Sequence, residues 1–166
     1  FKVTKLALPI IAIGFTLSFT ASKNSWKQYG NIILGLGLVF YGMAVMSTAL
    51  NPLRSYEPFV HFMISMQNPI LGAAVGALFT AVVQSSSATT GILIVMASQG
   101  LIGLEPAIAI ALGANIGTCV TAGLATIGKP REAVRAAVVH TLFNVAGVAI
   151  WISFIPRLAE LAYWMS

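Results

Sequence analysis

Charge is what this chain has least of. Only 8% of its 166 residues are Asp, Glu, Lys or Arg, against about 25% in an ordinary soluble domain, while 58% are hydrophobic. A water-facing surface cannot be built from that supply, so the composition excludes a soluble globular domain and implies an integral membrane protein. Acidic residues number only four: Glu57, Glu105, Glu132 and Glu160, all in or beside interfacial turns. No carboxylate is therefore available to orient His140, and pairing Ser86 with His140 as a hydrolytic centre would lack its third group. The chain is not read as an enzyme. A single cysteine, Cys119, excludes an internal disulfide and a multi-cysteine metal site and is expected as a small buried residue. Soluble domains, linkers and low-complexity segments are missing as well. There is no signal-peptide layout, and the sequence opens on Phe1 rather than Met, which suggests a piece of a longer protein.

The nine basic residues give a net charge of +5, but they are scattered at segment ends rather than gathered into a patch. Lipid headgroups and topology account for them; nucleic acid does not. Spanning helices are expected at about 6–22, 29–50, 105–127 and 132–154, with an interfacial stretch at 53–66. Lys2 and Lys5 would anchor one end of the first span, Lys23 and Lys27 the other. In the second, Gly30, Gly35, Gly37 and Gly42 offer a small face for close helix contact. Pro156 interrupts the last. The loops at 23–28 and 128–132 share one face, which the basic residues weakly favour as cytoplasmic.

What the chain does have is a polar cluster inside apolar sequence. Gln84, Ser85, Ser86, Ser87, Thr89 and Thr90 place five hydroxyls and an amide between apolar arms, Pro69 to Val83 and Thr89 to Gln99. In lipid each unpaired polar group costs several kcal/mol. Such a cluster therefore needs another segment, a water-filled cavity or a ligand. Neither arm reaches the roughly 20 residues that cross a bilayer, so the pair is expected as a re-entrant helical hairpin, about 69–100, with the cluster at its tip. Three consecutive serines turn by roughly 100° each and cannot all face one neighbouring helix. A broken helix offers amides to anions, and carbonyls with hydroxyls to small hard cations.

Gly113-Ala-Asn-Ile-Gly-Thr118 is expected to form a second break. Its glycines would equally suit tight helix packing, while Asn115, Thr118 and Thr121 would suit a wall of the same cavity. His140, Thr141 and Asn144 share a stripe of the last span, where a supporting role and plain structural hydrogen bonding both stand open.

Together these motifs resemble the type II sodium/phosphate symporters. Gln84-Ser-Ser-Ser-Ala-Thr-Thr90 followed by Gly113-Ala-Asn-Ile-Gly-Thr118 is similar to the paired signature of that family. Gly35-Leu-Gly-Leu, Asn51-Pro-Leu-Arg54, Asn68-Pro69 and His140-Thr-Leu-Phe-Asn144 resemble its bacterial pattern. The resemblance implies an all-α integral membrane carrier in the plasma (inner) membrane, coupling sodium movement to uptake of inorganic phosphate by alternating access, with no cofactor beyond the coupling ion. It places Gln84, Ser85, Ser86, Ser87, Thr89, Thr90, Asn115 and Thr118 at the substrate and sodium site. Sodium ligands are expected among Gln84, Ser85, Ser86, Ser87, Asn115 and Thr118, with Thr121, His140 and Asn144 in support. The family has two inverted repeats; this sequence has one and most resembles the second. The other lies outside this sequence, or two copies assemble in opposite orientations. A carrier of another oxyanion, and a membrane interaction module of the same fold, are the alternatives.

Overall fold

Residues 6–165 are described by the computed structural model, and among them every regular element is helical. Lys2 and Lys5, expected as anchors, lie outside the described residues. The chain divides into two compact units, Phe1–Asn51 and Pro52–Ser166.

The first unit is a helical hairpin of α1 (Ala7–Thr20) and α2 (Asn24–Leu50). Its register comes from glycine: Gly14 sits against Leu34, Gly30 against Ser18, and Gly37 against Ile11, so the helices run antiparallel. A Cβ on Gly14 would stand 2.3 Å from the Leu34 amide nitrogen, so no larger residue fits without moving the backbone. Of the four glycines expected on the small face of α2, Gly30 and Gly37 make this contact, whereas Gly35 and Gly42 meet nothing within 4 Å. Ser18 Oγ also donates to Asn31 Oδ1 at 2.6 Å. The expected first span at 6–22 comes out shorter, as a helix of 14 residues. At about 1.5 Å per residue it measures roughly 21 Å, less than the ~30 Å of a hydrocarbon core.

The second unit holds α3 (Glu57–Ser65), α4 (Pro69–Val83), α5 (Ser86–Ser98), α6 (Leu104–Ala125), α7 (Arg131–Trp151) and α8 (Ile155–Trp164). Residues 53–66, expected as an interfacial stretch, fall in a 3-10 turn, Asn51–Ser55, and in α3, which meets α4 at 114°. Asn68 and Pro69 make that corner: the Asn68 side chain accepts from the amides of Ile70 (3.0 Å) and Leu71 (3.3 Å), and proline sits at the helix start, where its missing N–H costs nothing. Removing the cap with Asn68→Ala should lower stability by about 1 kcal/mol. Heat unfolding in detergent should show a lower midpoint for that variant and almost none of the loss for Asn68→Asp.

α4 and α6 are packed in parallel. Gly113 lies on Ala73 and Gly117 on Ala77, a constant offset along both chains, and Gly76 lies on Ile110. Here the structure corrects an expectation: Gly113 to Thr118 is no break, and α6 is continuous from Leu104 to Ala125. The glycines remove side-chain bulk so that two backbones can touch, which in lipid is a main source of helix association. Pro156 also differs from expectation. After the 3-10 turn Ile152–Phe154 it occupies the first turn of α8, which it starts rather than interrupts.

Three helical stretches, Asn24–Ser55, Leu104–Ala125 and Arg131–Trp164, are long and apolar enough to cross a membrane, or four if α3 and α4 form one bent span. Their outward side chains are apolar: Leu36, Leu38, Val39 and Val45 on α2, and Val138, Val139, Leu142 and Phe143 on α7, are all exposed. Contiguous apolar surface of this extent needs lipid or another protein surface against it. The chain is an all-α integral membrane protein.

Candidate functional site

The parallel register of α4 and α6 dictates what α5 must do. The chain leaves the far end of α4 at Val83 and has to be back at Leu104, level with the start of α4, so α5 returns antiparallel along the bundle. The arms are thus a hairpin, with its tip at Gln84 and Ser85, between α4 and α5. Gly117, packed under Thr80 and Ala81 just below the tip, lies roughly 20 Å into α6, with about 12 Å of that helix still to run. Gln84 stands at least three residues further along α4 than that level, so the hairpin turns back near the last turn of α6.

The break is made by backbone geometry. Gln84 adopts φ 57° and ψ 26°, the one non-glycine residue with positive φ among those described. For an L-residue that left-handed conformation costs of order 1 kcal/mol, a strain that concentrates at functional turns. Its N–H closes α4 on Thr80 O at 2.6 Å. Ser85 is extended and caps α5, its Oγ accepting from the Ala88 amide at 3.2 Å. The carbonyl end of one helix and the amide end of another thereby meet at one point.

Beneath the tip the arms are clasped. Thr80 and Thr89 are buried, at 0% and 2% exposure, with their hydroxyls 2.8 Å apart. Thr89 gives its proton to Ser85 O at 3.1 Å, which leaves Thr80 as donor in the pair. Thr89, expected beside a ligand, is thus placed inside the hairpin as a strut. Thr80 carried no expectation; it lies one helical turn before Gln84, which is the only trace of its role in the sequence.

The other cluster members point elsewhere. Ser86 is half-buried, while Ser87, Gln84 and Thr90 are exposed, and among the described residues none of their side chains has a hydrogen-bond partner. Asn115, exposed on α6, is likewise without one, as is Thr121. Thr118 bonds back to Ala114 O at 2.9 Å and the Cys119 thiol to Asn115 O at 3.5 Å. On α7 the supporting residues satisfy themselves: Thr141 donates to Ala137 O at 2.8 Å and Asn144 to the carbonyl of the exposed His140 at 2.9 Å. The structure thus brings Gln84, Ser85, Ser86 and Ser87 together and sets Thr118, next to Gly117, below them near the level of Thr80 and Ala81, while tying Thr141 and Asn144 into their own helix. No group of three or more His, Cys, Asp or Glu gathers among the described residues. A cation at the tip would have to be held by hydroxyl, amide and carbonyl oxygens.

Replacing the strained residue separates backbone from side chain. Gln84→Gly should keep the turn and stabilise the protein by up to about 1 kcal/mol, since glycine adopts positive φ freely. If the amide is needed, ligand binding should nevertheless fall. Thermal midpoint and binding measured on the same preparation would show this divergence.

The sequence profile described as Na+/Pi-cotransporter matches residues 1–48 and 57–165. The chain belongs to that family. Its relatives include YqeW of Bacillus subtilis, named only as an uncharacterized protein, 34% identical over 147 residues, or 88% of this chain and 48% of that one. Sodium-dependent phosphate transport protein 2B of Homo sapiens is 36% identical over 136 residues, 75% of this chain and 20% of its own length. Protein 2A of Ovis aries is 43% identical over 81 residues, 46% of this chain and 13% of its own. The chain thus spans about half the length of the first of these relatives and a fifth or less of the other two. No solved structure matches it.

Proposed function

We propose that this chain supplies one repeat of a sodium-coupled phosphate carrier of the plasma membrane, with the hairpin tip as the substrate and sodium site. The observation that carries the reading is the helix break at Gln84 and Ser85, which leaves the Ser86 and Ser87 hydroxyls without protein partners among the described residues. At the start of α5 the amides of Ser86 and Ser87 have no intrahelical acceptor, and with their hydroxyls they make a donor set suited to a phosphate oxyanion. The last carbonyls of α4, with Gln84 and serine oxygens, make an acceptor set suited to sodium. Neither set carries a formal charge. Bringing the anion alone into a site of low dielectric is costly, and a cation alongside offsets that cost. Coupling follows from this mutual compensation. Asn115 and Thr118, on α6 below the level of the tip, complete the proposed lining, with Thr121, His140 and Asn144 in support. A second repeat would close the other side, and the two would exchange access by rocking around the tips.

The test is uptake of labelled phosphate by proteoliposomes holding the full-length protein. Uptake should require sodium, collapse when potassium replaces it, and be competed by arsenate but not by sulfate. Sodium-dependent uptake competed equally by sulfate would instead indicate a broader oxyanion carrier. Absence of any uptake or binding would leave the fold as an interaction module and overturn the reading.

A further inference from the structure

At the opposite end of the hairpin from its tip lies an open cavity of about 860 Å³, bordered by α3, the turn from α5 into α6, and Tyr163 at the end of α8. Its size falls within the roughly 300–1,000 Å³ of small-molecule sites. One wall is apolar: Phe59, Val60, Met63 and Ile64 of α3. Two ionisable side chains of opposite sign, Arg54 and Glu105, line the same space, yet among the described residues neither is in an ion pair. Glu105 opens α6, so if that helix crosses the bilayer the cavity lies where it emerges from hydrocarbon into the headgroup layer.

Arg54 is held in place. Its guanidinium donates to the Gln99 carbonyl at the end of α5, where Gly100 takes φ 69° and the amides of Gly100 and Leu101 bond back to Ala97 and Met96. That closure fixes the turn. A guanidinium carries five N–H donors in a planar fork, so the bond to Gln99 leaves donors for an oxyanion.

We propose that this cavity binds a zwitterionic aminophospholipid, with the headgroup phosphate on Arg54, the primary ammonium on Glu105, and the first part of an acyl chain along Phe59, Val60, Met63 and Ile64. Two unlike charges lining one cavity at headgroup depth, beside an apolar wall, match a lipid bearing both charges better than one bearing a single sign. The inference does not depend on what the hairpin tip carries.

Native mass spectrometry after purification would test it. The full-length protein is first stripped with nonionic detergent, then exposed to mixed micelles holding equal amounts of phosphatidylethanolamine, phosphatidylcholine and phosphatidylglycerol. The wild type should retain phosphatidylethanolamine preferentially. Arg54→Gln should lower retention of phosphatidylethanolamine about tenfold, the loss expected for a charge-assisted hydrogen bond. Glu105→Gln, an exposed change in the first turn of α6, should leave the fold intact and shift the preference to phosphatidylglycerol, because it removes only the negative partner. Equal retention of all three lipids, no retained lipid, or a preference unchanged in both variants would overturn the proposal.

Discussion

Gly113→Ala is expected to destabilise the protein by about 1–3 kcal/mol, the usual cost of overpacking, whereas Gly147→Ala on α7 should be neutral or slightly stabilising. Both substitutions bring the same gain in helix propensity, of roughly 1 kcal/mol at most. They differ in what the new methyl meets. At Gly113 it would stand 1.9 Å from the Ala73 carbonyl oxygen, and at Gly147 it would meet nothing within 4 Å. The obstacle at Gly113 is backbone, so no rotamer change can relieve it. Gly76→Ala should behave like Gly113→Ala, since its methyl would fall 2.0 Å from Ile110 O. Because the register of α4 on α6 also positions the hairpin, the damage should reach the tip, and both variants should lose phosphate binding along with thermal stability. The midpoint of heat unfolding in detergent, compared between Gly113→Ala and Gly147→Ala, decides the matter; equal midpoints would mean that the close contact is not what holds these helices.

The second large effect separates function from fold. Ser86→Ala and Ser87→Ala should each reduce sodium-dependent phosphate uptake about tenfold or more, the worth of one hydrogen bond to a charged group. Their stability should stay within about 0.5 kcal/mol of the wild type, since neither hydroxyl has a partner among the described residues. Thr80→Val should do the reverse. It removes one side of the buried pair with Thr89, lowering stability by about 1 kcal/mol, and affects uptake only through the shape of the tip. Ser98→Ala is a suitable control, because that hydroxyl bonds back to Val95 O at the far end of α5. Uptake assays paired with unfolding midpoints on the four variants would show two opposed patterns. If Ser86→Ala lost stability and uptake together, the serines would be structural.

The break between α4 and α5 was legible because polar residues in apolar sequence have few physical outlets, and two arms each too short to span suggest a turn between them. The bounds expected for the hairpin, about 69–100, fall where the structure has the Asn68 cap and the positive φ of Gly100. Gly113 and Gly117 were ambiguous, since an unwound segment and a close helix contact both demand small residues, and only the partner backbone at Ala73 and Ala77 distinguishes them. That partner lies 40 residues away, beyond any local pattern. The clasp between Thr80 and Thr89 was hidden likewise. Thr89 reads as one more hydroxyl of the cluster until the fold turns it inward. In α1 the run from Leu6 to Ser22 is apolar enough to suggest a span, but the backbone turns extended at Ala21 and ends the helix early.

Whether the tip is open to water and closed by cargo can be measured directly. Ala88 is exposed, immediately follows the three serines, and has no assigned part in binding. A Cys119→Ala background removes the one thiol of this sequence, and Ala88→Cys then places a reporter at the tip. The account predicts that a membrane-impermeant thiol reagent modifies this cysteine from the aqueous phase, and that sodium and phosphate together slow the reaction several-fold while either alone does so weakly. A cysteine that never reacts, or reacts at the same rate with and without both solutes, would contradict it.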